Sequence, residues 1–189
     1  MLHIGCGGRL LEGWLNTDIA WSPGAIQMDA RRRFPFADNT FDFVFSEHMI
    51  EHVDCSEGAY MLAECYRVMT VGGRIRITTP NLTTLARLCA DDHTDIEASY
   101  LDWFYRTFLH GGWPHTPAGA LSAFFSFWGH KFIYDEKTLT NAMHAAGFKS
   151  IKRYKLTESD EPNLRSLENC ARYPEGLLEF ESIALEGEK

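Results

Sequence analysis

The sequence predicts an α/β protein with a doubly wound, mostly parallel sheet of seven strands. Short apolar segments alternate with helical segments along the chain, an order that covers both faces of a parallel sheet with helices. Residues 41–46 form an almost continuous apolar run rich in aromatic residues, as expected for a central strand buried on both faces. These two observations predict an open, mostly parallel sheet covered on both faces.

Each predicted element has a local reason. Residues 51–53 open a helical region, and the main helix at residues 56–69 is followed by a glycine pair at 72–73, which we expect to end it. Residues 135–146 predict a later helix with Gly147 as its C-cap. The predicted strands, in chain order, are residues 2–4, 14–18, 25–30, 41–46, 74–79, 149–156 and 180–186.

Two connections between parallel strands are too short for ordinary helices. Only residues 9–13 separate the glycine turn after the first strand from the second strand, and only residues 21–24 connect the second strand to the third. A parallel crossover normally contains a dozen or more residues. We therefore expect the first two helices to be reduced to single turns.

Composition indicates one globular domain, residues 1–189, and excludes several classes of function. The formal net charge of −8 argues against a nucleic-acid partner, and we interpret the basic run at residues 31–33 as a solvated surface. No segment predicts a membrane helix or a signal peptide, so we expect no membrane partner and a cytoplasmic protein. Five cysteines without a C-x-x-C pair predict reduced thiols.

A glycine turn near the N-terminus predicts a site for a nucleoside-containing cofactor. Gly5, Gly7 and Gly8 follow the first strand, and Asp18 ends the second. Glycine allows close approach of a ligand to the backbone, and a carboxylate at a strand tip can accept both hydroxyls of a ribose. A dinucleotide fingerprint would need a third glycine at Leu10 and an acid farther along, so the spacing points to another cofactor.

Four ordered blocks carry a family resemblance. They are the glycine turn with Asp18, the segment at residues 25–30 that ends in an acid, the segment Phe34-Pro35-Phe36-Ala37-Asp38-Asn39-Thr40-Phe41-Asp42, and the helix, turn and strand at residues 64–81. Together they resemble the class I S-adenosylmethionine-dependent methyltransferases. The resemblance implies a Rossmann-like fold, an antiparallel last strand, S-adenosylmethionine as cofactor and methyl transfer to a small-molecule acceptor.

The resemblance also implies roles for individual residues. The glycines would lie against the methionine and ribose, Asp18 would bind the ribose diol, Asp29 and Ala30 would border the adenine, and Ser46 would lie near the sulfonium. The full set of expected cofactor-binding residues is His3, Gly5, Cys6, Gly7, Gly8, Asp18, Asp29, Ala30 and Ser46.

Two departures leave alternatives open. His3 stands where many members of the family carry an acid that holds the cofactor's amino group, so a methyltransferase-like binding module without catalysis is one alternative. The segment from His48 to His52 matches H-x-x-E-H, with Glu51 as the acid, so a zinc hydrolase is another. Because a helix start of this kind is common in methyltransferases and no further ligand has diagnostic spacing, we expect no metal.

A hydroxyl or protonated-amine acceptor needs a base. The candidates are Glu47, His48, His110, His115 and His130, of which we favour His48, His130 and Glu47.

Residues 82–131 form an aromatic-rich insertion after the fifth strand. Loops at the strand ends of an open α/β sheet are where ligands bind, so the insertion is a candidate substrate lid. The alternatives are that its rings supply the core packing that the shortened helices do not provide, or that they form a homodimer contact.

Overall fold

The computed structural model describes all 189 residues and contains one seven-stranded sheet. Its strands are β1 (Leu2–Ile4), β2 (Leu15–Asp18), β3 (Ile26–Gln27), β4 (Phe41–Glu47), β5 (Met69–Pro80), β6 (Lys149–Tyr154) and β7 (Ser182–Glu188). Its helices are α1 (Cys55–Val68), α2 (Leu82–Arg87), α3 (Asp95–Phe108), α4 (Pro117–Ser126), α5 (Glu136–Ala146) and α6 (Leu177–Glu181). None of the helices has the length and apolarity that a membrane crossing requires.

The strands lie in the order β3-β2-β1-β4-β5-β7-β6. Strands β1 to β5 pair in parallel, and β7 is antiparallel to both of its neighbours, β5 and β6. The predicted fold class, including the antiparallel last strand, is confirmed. β1 lies at the switch point of the strand order, where open α/β sheets bind ligands.

Turns replace the first two helices, as the short connections predict. The N–H groups of Gly5 and Cys6 donate to the carbonyl of Thr17, so the glycine turn packs directly against β2. The third strand is shorter than the predicted residues 25–30. Its ladder partner β2 ends at Asp18, which pairs with Gln27, and no strand lies beyond to extend the pairing.

A capping box starts α1. The Asp54 side chain accepts from the Glu57 N–H, and the Glu57 side chain accepts from the Asp54 N–H. The predicted helical region at residues 51–53 is a separate 3-10 turn, Ile50–His52.

The expectation that the glycines at 72–73 end the helix is wrong. The backbone is already extended at Met69, which begins β5 and pairs with Phe41. The next ladder pair joins Phe43 to Arg74, so the intervening β5 residues bulge out of the ladder and the glycines lie in that bulge.

Helices α2 to α4 form what we call the helical cap, which follows the carboxyl end of β5. Their apolar sides make a second core with residues near α6, and its buried members include Leu85, Tyr100, Phe104, Phe124 and Leu177. Because β7 is antiparallel, its first residue lies at the same edge of the sheet as the last residue of β5. The last strand, predicted at residues 180–186, starts later, at Ser182, because α6 occupies the preceding positions.

The two faces of the sheet are covered differently. Helices α1 and α5 cover one face through the main apolar core. On the other face, the irregular segment after β6 packs Leu164 and Leu167 against Phe45. Arg76 is fully buried there, with Glu168 at 2.5 Å and Glu186 at 2.6 Å. A buried guanidinium needs carboxylate partners, so the pairing of Arg76 with Glu168 holds the segment after β6 against this face of the sheet, where helices were expected.

Candidate active site

A cavity of about 340 Å³ opens at the carboxyl ends of β1 and β2. Small-molecule sites typically measure roughly 300 to 1,000 Å³, so its size suits a cofactor. Five of the residues expected to bind a cofactor line it: Gly5, Gly7, Asp18, Asp29 and Ala30. We call it the glycine cavity.

Two glycines of this cavity have a backbone conformation that other residues rarely adopt, with φ of +70° at Gly5 and +52° at Gly7. A Cβ atom on Gly5 would lie 2.4 Å from Met49 Cγ, so only glycine fits there. A Cβ atom on Gly7 would meet no protein atom within 4 Å. The Gly7 backbone therefore faces open space, which allows a ligand to approach it closely.

The Asp18 carboxylate is oriented by two backbone groups. The Gly7 N–H donates to Oδ2 at 2.8 Å, and the Ala20 N–H donates to Oδ1 at 2.9 Å. A carboxylate offers about four acceptor positions, so each oxygen keeps capacity for a ligand. Two such oxygens at the tip of β2 suit a vicinal diol.

Asp29 is paired with Arg31. Arg31 Nε lies 2.8 Å from Oδ1, and Nη2 lies 2.9 Å from Oδ2. These hydrogen bonds lower the pKa of Asp29 to about 2. Arg31 also lines the glycine cavity, so the basic run that was expected to be a solvated surface contributes one wall of the site.

A second cavity of about 200 Å³ lies between the 3-10 turn after β4 and the helical cap. We call it the aromatic cavity, because Phe104, Phe108 and Phe124 of the helical cap line it together with Trp128. The rest of the lining is mostly polar and includes His48, Glu51, His52, His130, Arg172 and Glu181.

Glu181 is a buried carboxylate held by two tyrosines at this cavity. The hydroxyl of Tyr100 donates to Oε2, and the hydroxyl of Tyr173 donates to Oε1 at 3.0 Å. Burial raises the pKa of Glu181 above its ordinary value. The pairing links α3 to α6 and fixes the polar wall.

The two cavities meet at His48 and His52, because both residues line both cavities. A molecule in the glycine cavity and a molecule in the aromatic cavity would therefore be neighbours across these imidazoles.

His48 is held in an uncommon conformation, with φ of +48°. Its Nδ1 lies 3.3 Å from Glu51 Oε1, and its Nε2 lies 3.0 Å from Ser182 Oγ. Burial opposes ionisation of Glu51, but the electrostatic interactions with His48 and His52 lower its pKa below the ordinary value. The neighbouring carboxylate favours the tautomer with the proton on Nδ1, which leaves the lone pair on Nε2.

Comparison with known proteins gives one family match. Residues 2–77 match the model of a methyltransferase domain family. The matched segment contains the glycine turn, Asp18, Asp29 and the 3-10 turn after β4.

Solved structures support the fold over the whole chain. A SAM-dependent methyltransferase from Archaeoglobus fulgidus is 20% identical with a TM-score of 0.60, and the match covers 100% of this chain and 85% of that one. A possible histamine N-methyltransferase from Thermotoga maritima is 18% identical with a TM-score of 0.54, covering 100% and 81%.

Phosphoethanolamine N-methyltransferase 2 from Haemonchus contortus, in complex with S-adenosyl-L-methionine, is 15% identical with a TM-score of 0.51. That match covers 100% of this chain and 48% of the other. No curated protein matches the sequence.

The glycine cavity fits S-adenosylmethionine, the cofactor that the sequence resemblance implies, by its chemistry. The Gly7 backbone borders open space where a Cβ atom would intrude, and Asp18 has acceptor capacity that the protein leaves unused. The carboxylate of Asp18 complements a cationic ligand, whereas Arg31 offsets the charge of Asp29.

Four of the expected cofactor-binding residues do not line the glycine cavity. His3 is buried, its Nδ1 bonds Asn16 Oδ1 at 2.9 Å, and its ring lies against Phe45. Ser46 is also buried. Cys6 and Gly8, like these two, are absent from the cavity wall.

The candidate bases are also separated by the fold. His48 and His130 line the aromatic cavity, whereas Glu47 lines neither cavity. The Glu47 carboxylate accepts from the Asn169 N–H at 2.9 Å and lies 3.4 Å from Arg9, so it anchors the segment after β6. His110 and His115 are exposed and lie outside both cavities.

Sequence reasoning missed part of both walls. Met28 and Met49 border the glycine cavity, and Arg172 and Glu181 border the aromatic cavity. Met28 immediately precedes Asp29, so the prediction for Asp29 could have been extended to Met28. Arg172 and Glu181 belong to the C-terminal part of the chain, and no local pattern connects them with β4.

The insertion at residues 82–131 contains the helical cap. Its rings build the core of the cap, and some of them line the aromatic cavity. Trp113 does not line the cavity and packs against Phe127 with ring centroids 4.8 Å apart. The substrate lid and the homodimer contact stay predictions.

The geometry of a zinc hydrolase is absent from the H-x-x-E-H segment. His48 precedes the 3-10 turn and has positive φ, so it does not share a helix face with His52.

Proposed function

We propose that this enzyme transfers a methyl group from S-adenosylmethionine in the glycine cavity to a small molecule in the aromatic cavity. The observation that carries the proposal is the junction of the two cavities at His48 and His52. Methyl transfer is an in-line displacement, and holding two reactants in adjacent sites supplies the proximity and orientation it requires.

The cofactor is held mainly by backbone and carboxylates. The Gly5 and Gly7 turn lies along its methionine and ribose, Asp18 accepts hydrogen bonds from the ribose diol, and Asp29 with Ala30 borders the adenine. When bound, S-adenosylmethionine supplies a methyl group on a sulfonium with a neutral leaving group.

The acceptor is a small molecule with an apolar portion. The aromatic cavity measures about 200 Å³, below the usual range for drug-sized ligands of roughly 300 Å³ and more. Its aromatic wall suits an apolar or ring-shaped part of the acceptor, and its polar wall suits the group that is methylated. A sugar or a metabolite with an aromatic portion meets this description.

His48 is the residue that takes the acceptor's proton. It borders both cavities, and Glu51 favours the tautomer in which Nε2 carries the lone pair. The hydroxyl of Ser182 lies 3.0 Å from that nitrogen and donates to it, and this hydrogen bond is given up when Nε2 takes the acceptor's proton. A base in this position contributes typically 10² to 10⁴ in rate.

The test combines a screen with one matched pair of variants. Purified enzyme is incubated with S-adenosylmethionine and a panel of small hydroxyl and amine compounds, and formation of S-adenosylhomocysteine is measured. His48→Asn is compared with His110→Asn, whose side chain is exposed and outside both cavities. Asparagine is chosen because it tolerates positive φ.

We expect His48→Asn to lower turnover about 100-fold or more while the affinity for S-adenosylmethionine changes by less than about tenfold. His110→Asn should behave as wild type. Equal turnover in the two variants would contradict the role of His48. Cofactor binding without turnover of any compound would favour the alternative of a binding module.

A further inference from the structure

Three potential metal ligands converge in the aromatic cavity. Glu51, His52 and His130, which we call the Glu-His-His cluster, each direct one potential ligand atom to a common space. These atoms all lie within 4.8 Å of one another. Two of the residues come from the 3-10 turn after β4, and His130 comes from the connection between α4 and α5.

Two atoms of the cluster are buried and lack a hydrogen-bond partner. Glu51 is 0% exposed, and its Oε1 receives no hydrogen bond, although His48 Nδ1 lies 3.3 Å away. The other carboxylate oxygen, Oε2, accepts from Thr79 Oγ1 at 3.0 Å. Nδ1 of His130 is also buried without a partner. Buried polar atoms rarely lack a hydrogen-bond partner, so Glu51 Oε1 and His130 Nδ1 are candidate ligand atoms.

Backbone hydrogen bonds hold the cluster together. The N–H groups of Lys131 and Phe132 both donate to the carbonyl of Glu51, at 2.8 and 3.3 Å. These bonds attach the chain next to His130 directly to the residue that supplies the carboxylate. The rings of His52 and His130 lie 4.9 Å apart between centroids. The three side chains are therefore brought together by a specific connection between the sheet edge and the cap.

We propose that the Glu-His-His cluster binds a divalent transition-metal cation of the zinc class. Two imidazoles and one carboxylate are the donor set that zinc sites with an open position use, whereas calcium and magnesium prefer oxygen ligands alone. The sequence offered no third ligand at diagnostic spacing, and the fold supplies His130 from a distant part of the chain.

Binding requires a small inward movement. Ligands about 2.0 to 2.1 Å from a tetrahedral zinc ion are roughly 3.4 Å from one another, which is closer than the present limit of 4.8 Å. Rotations of the His52 and His130 side chains that move their ligand nitrogens inward by about 1 Å would close this difference.

All three ligands line the aromatic cavity, so the fourth position of a tetrahedral ion opens onto it. A consequence that rests on the proposed function is that an oxygen of the acceptor, or water, completes the coordination beside His48.

The test is a titration of the full chain, purified without an affinity tag and dialysed against a chelator, with cobalt(II) chloride and then zinc chloride. Cobalt reports its coordination through visible absorption bands, and zinc should displace it. The variants are His130→Ala and Glu51→Gln, and the matched control is His144→Ala, because His144 is exposed on α5. Binding of S-adenosylmethionine is measured in parallel by calorimetry.

We expect one cobalt ion per chain with a tetrahedral spectrum, and about 100-fold or greater loss of affinity in both cluster variants but not in the control. Absence of stoichiometric binding to the wild-type chain, or equal binding by the cluster variants and the control, would overturn the proposal. If His130→Ala fails to fold, His52→Asn takes its place. Cofactor binding without metal binding would refute the metal site alone, whereas metal binding without cofactor binding would refute the proposed function.

Discussion

Replacing Gly5 and Gly7 separately by alanine tests whether the glycine turn shapes the cofactor site. Both positions have positive φ, so alanine costs roughly 1 to 2 kcal/mol of backbone strain at either one. They differ in their surroundings. The new Cβ atom at Gly5 would lie 2.4 Å from Cγ and 2.7 Å from Cβ of Met49, whereas at Gly7 no protein atom lies within 4 Å.

The expected loss of stability follows from this difference. Overpacking adds typically 1 to 3 kcal/mol, so Gly5→Ala should lower the free energy of unfolding by about 2 to 5 kcal/mol. Gly7→Ala should lower it by only about 1 to 2 kcal/mol. At about 2 to 4 °C per kcal/mol for a chain of this size, the melting temperature should fall by about 4 to 20 °C in the first variant and about 2 to 8 °C in the second.

Cofactor affinity should rank differently from stability. The added methyl group of Gly7→Ala, and still more the branched side chain of Gly7→Val, would occupy the space through which the cofactor approaches the backbone. Calorimetry should therefore show that Gly7→Val is folded and no longer binds S-adenosylmethionine. Differential scanning calorimetry measures the stabilities. Equal melting temperatures for the two alanine variants, or normal cofactor binding by Gly7→Val, would refute this account of the turn.

Three further expectations concern single side chains. Asp18→Ala removes charge-assisted hydrogen bonds to the ribose, so calorimetry on the folded variant should show a loss of about 1.5 to 3 kcal/mol in binding free energy, and unchanged affinity would refute the assignment. Trp128→Ala should lower acceptor turnover while keeping S-adenosylmethionine affinity within about tenfold, or roughly 1.4 kcal/mol. Trp113→Ala, which changes a residue outside the cavity wall, is the control. Equal turnover by these two variants would contradict a cap that binds the acceptor. The carboxyl of Asp29 should titrate near pH 2 by NMR and return towards its ordinary value of 3.8 in Arg31→Ala; because the pKa is lowered in the folded state, the stabilisation is present above pH 3.8 and is lost as the pH falls towards 2.

The sequence predicted those features that depend on local patterns. The seven-stranded sheet followed from alternating apolar and helical segments, and the loss of the first two helices followed from the short connections. Gly5, Gly7 and Asp18 were predicted correctly as neighbours because the turn and the strand tip lie at adjacent strands, β1 and β2.

Other features depend on interactions between distant residues. Glu47 was a chemically reasonable base, but its carboxylate accepts a hydrogen bond from the Asn169 N–H and pairs with Arg9 outside both cavities. Similarly, His3 faces Asn16 and Phe45 because residues in a strand alternate between the faces, and β1 is too short for its pattern to reveal the direction.

The walls of the aromatic cavity were the hardest part to predict. They combine the turn after β4, the helical cap and the residues before β7, which meet only because β7 is antiparallel. No spacing rule connects Glu51 with His130, because they are brought together by backbone hydrogen bonds from Lys131 and Phe132 to the Glu51 carbonyl.

We propose that the glycine cavity binds S-adenosylmethionine next to a second cavity for the acceptor. The most direct measurement is a crystal structure of the chain with S-adenosylhomocysteine, the product that remains after methyl transfer. We predict that its ribose hydroxyls lie within hydrogen-bond distance of Asp18 and that its sulfur faces the junction at His48 and His52. A product bound elsewhere, or no binding at concentrations that saturate other methyltransferases, would contradict the account.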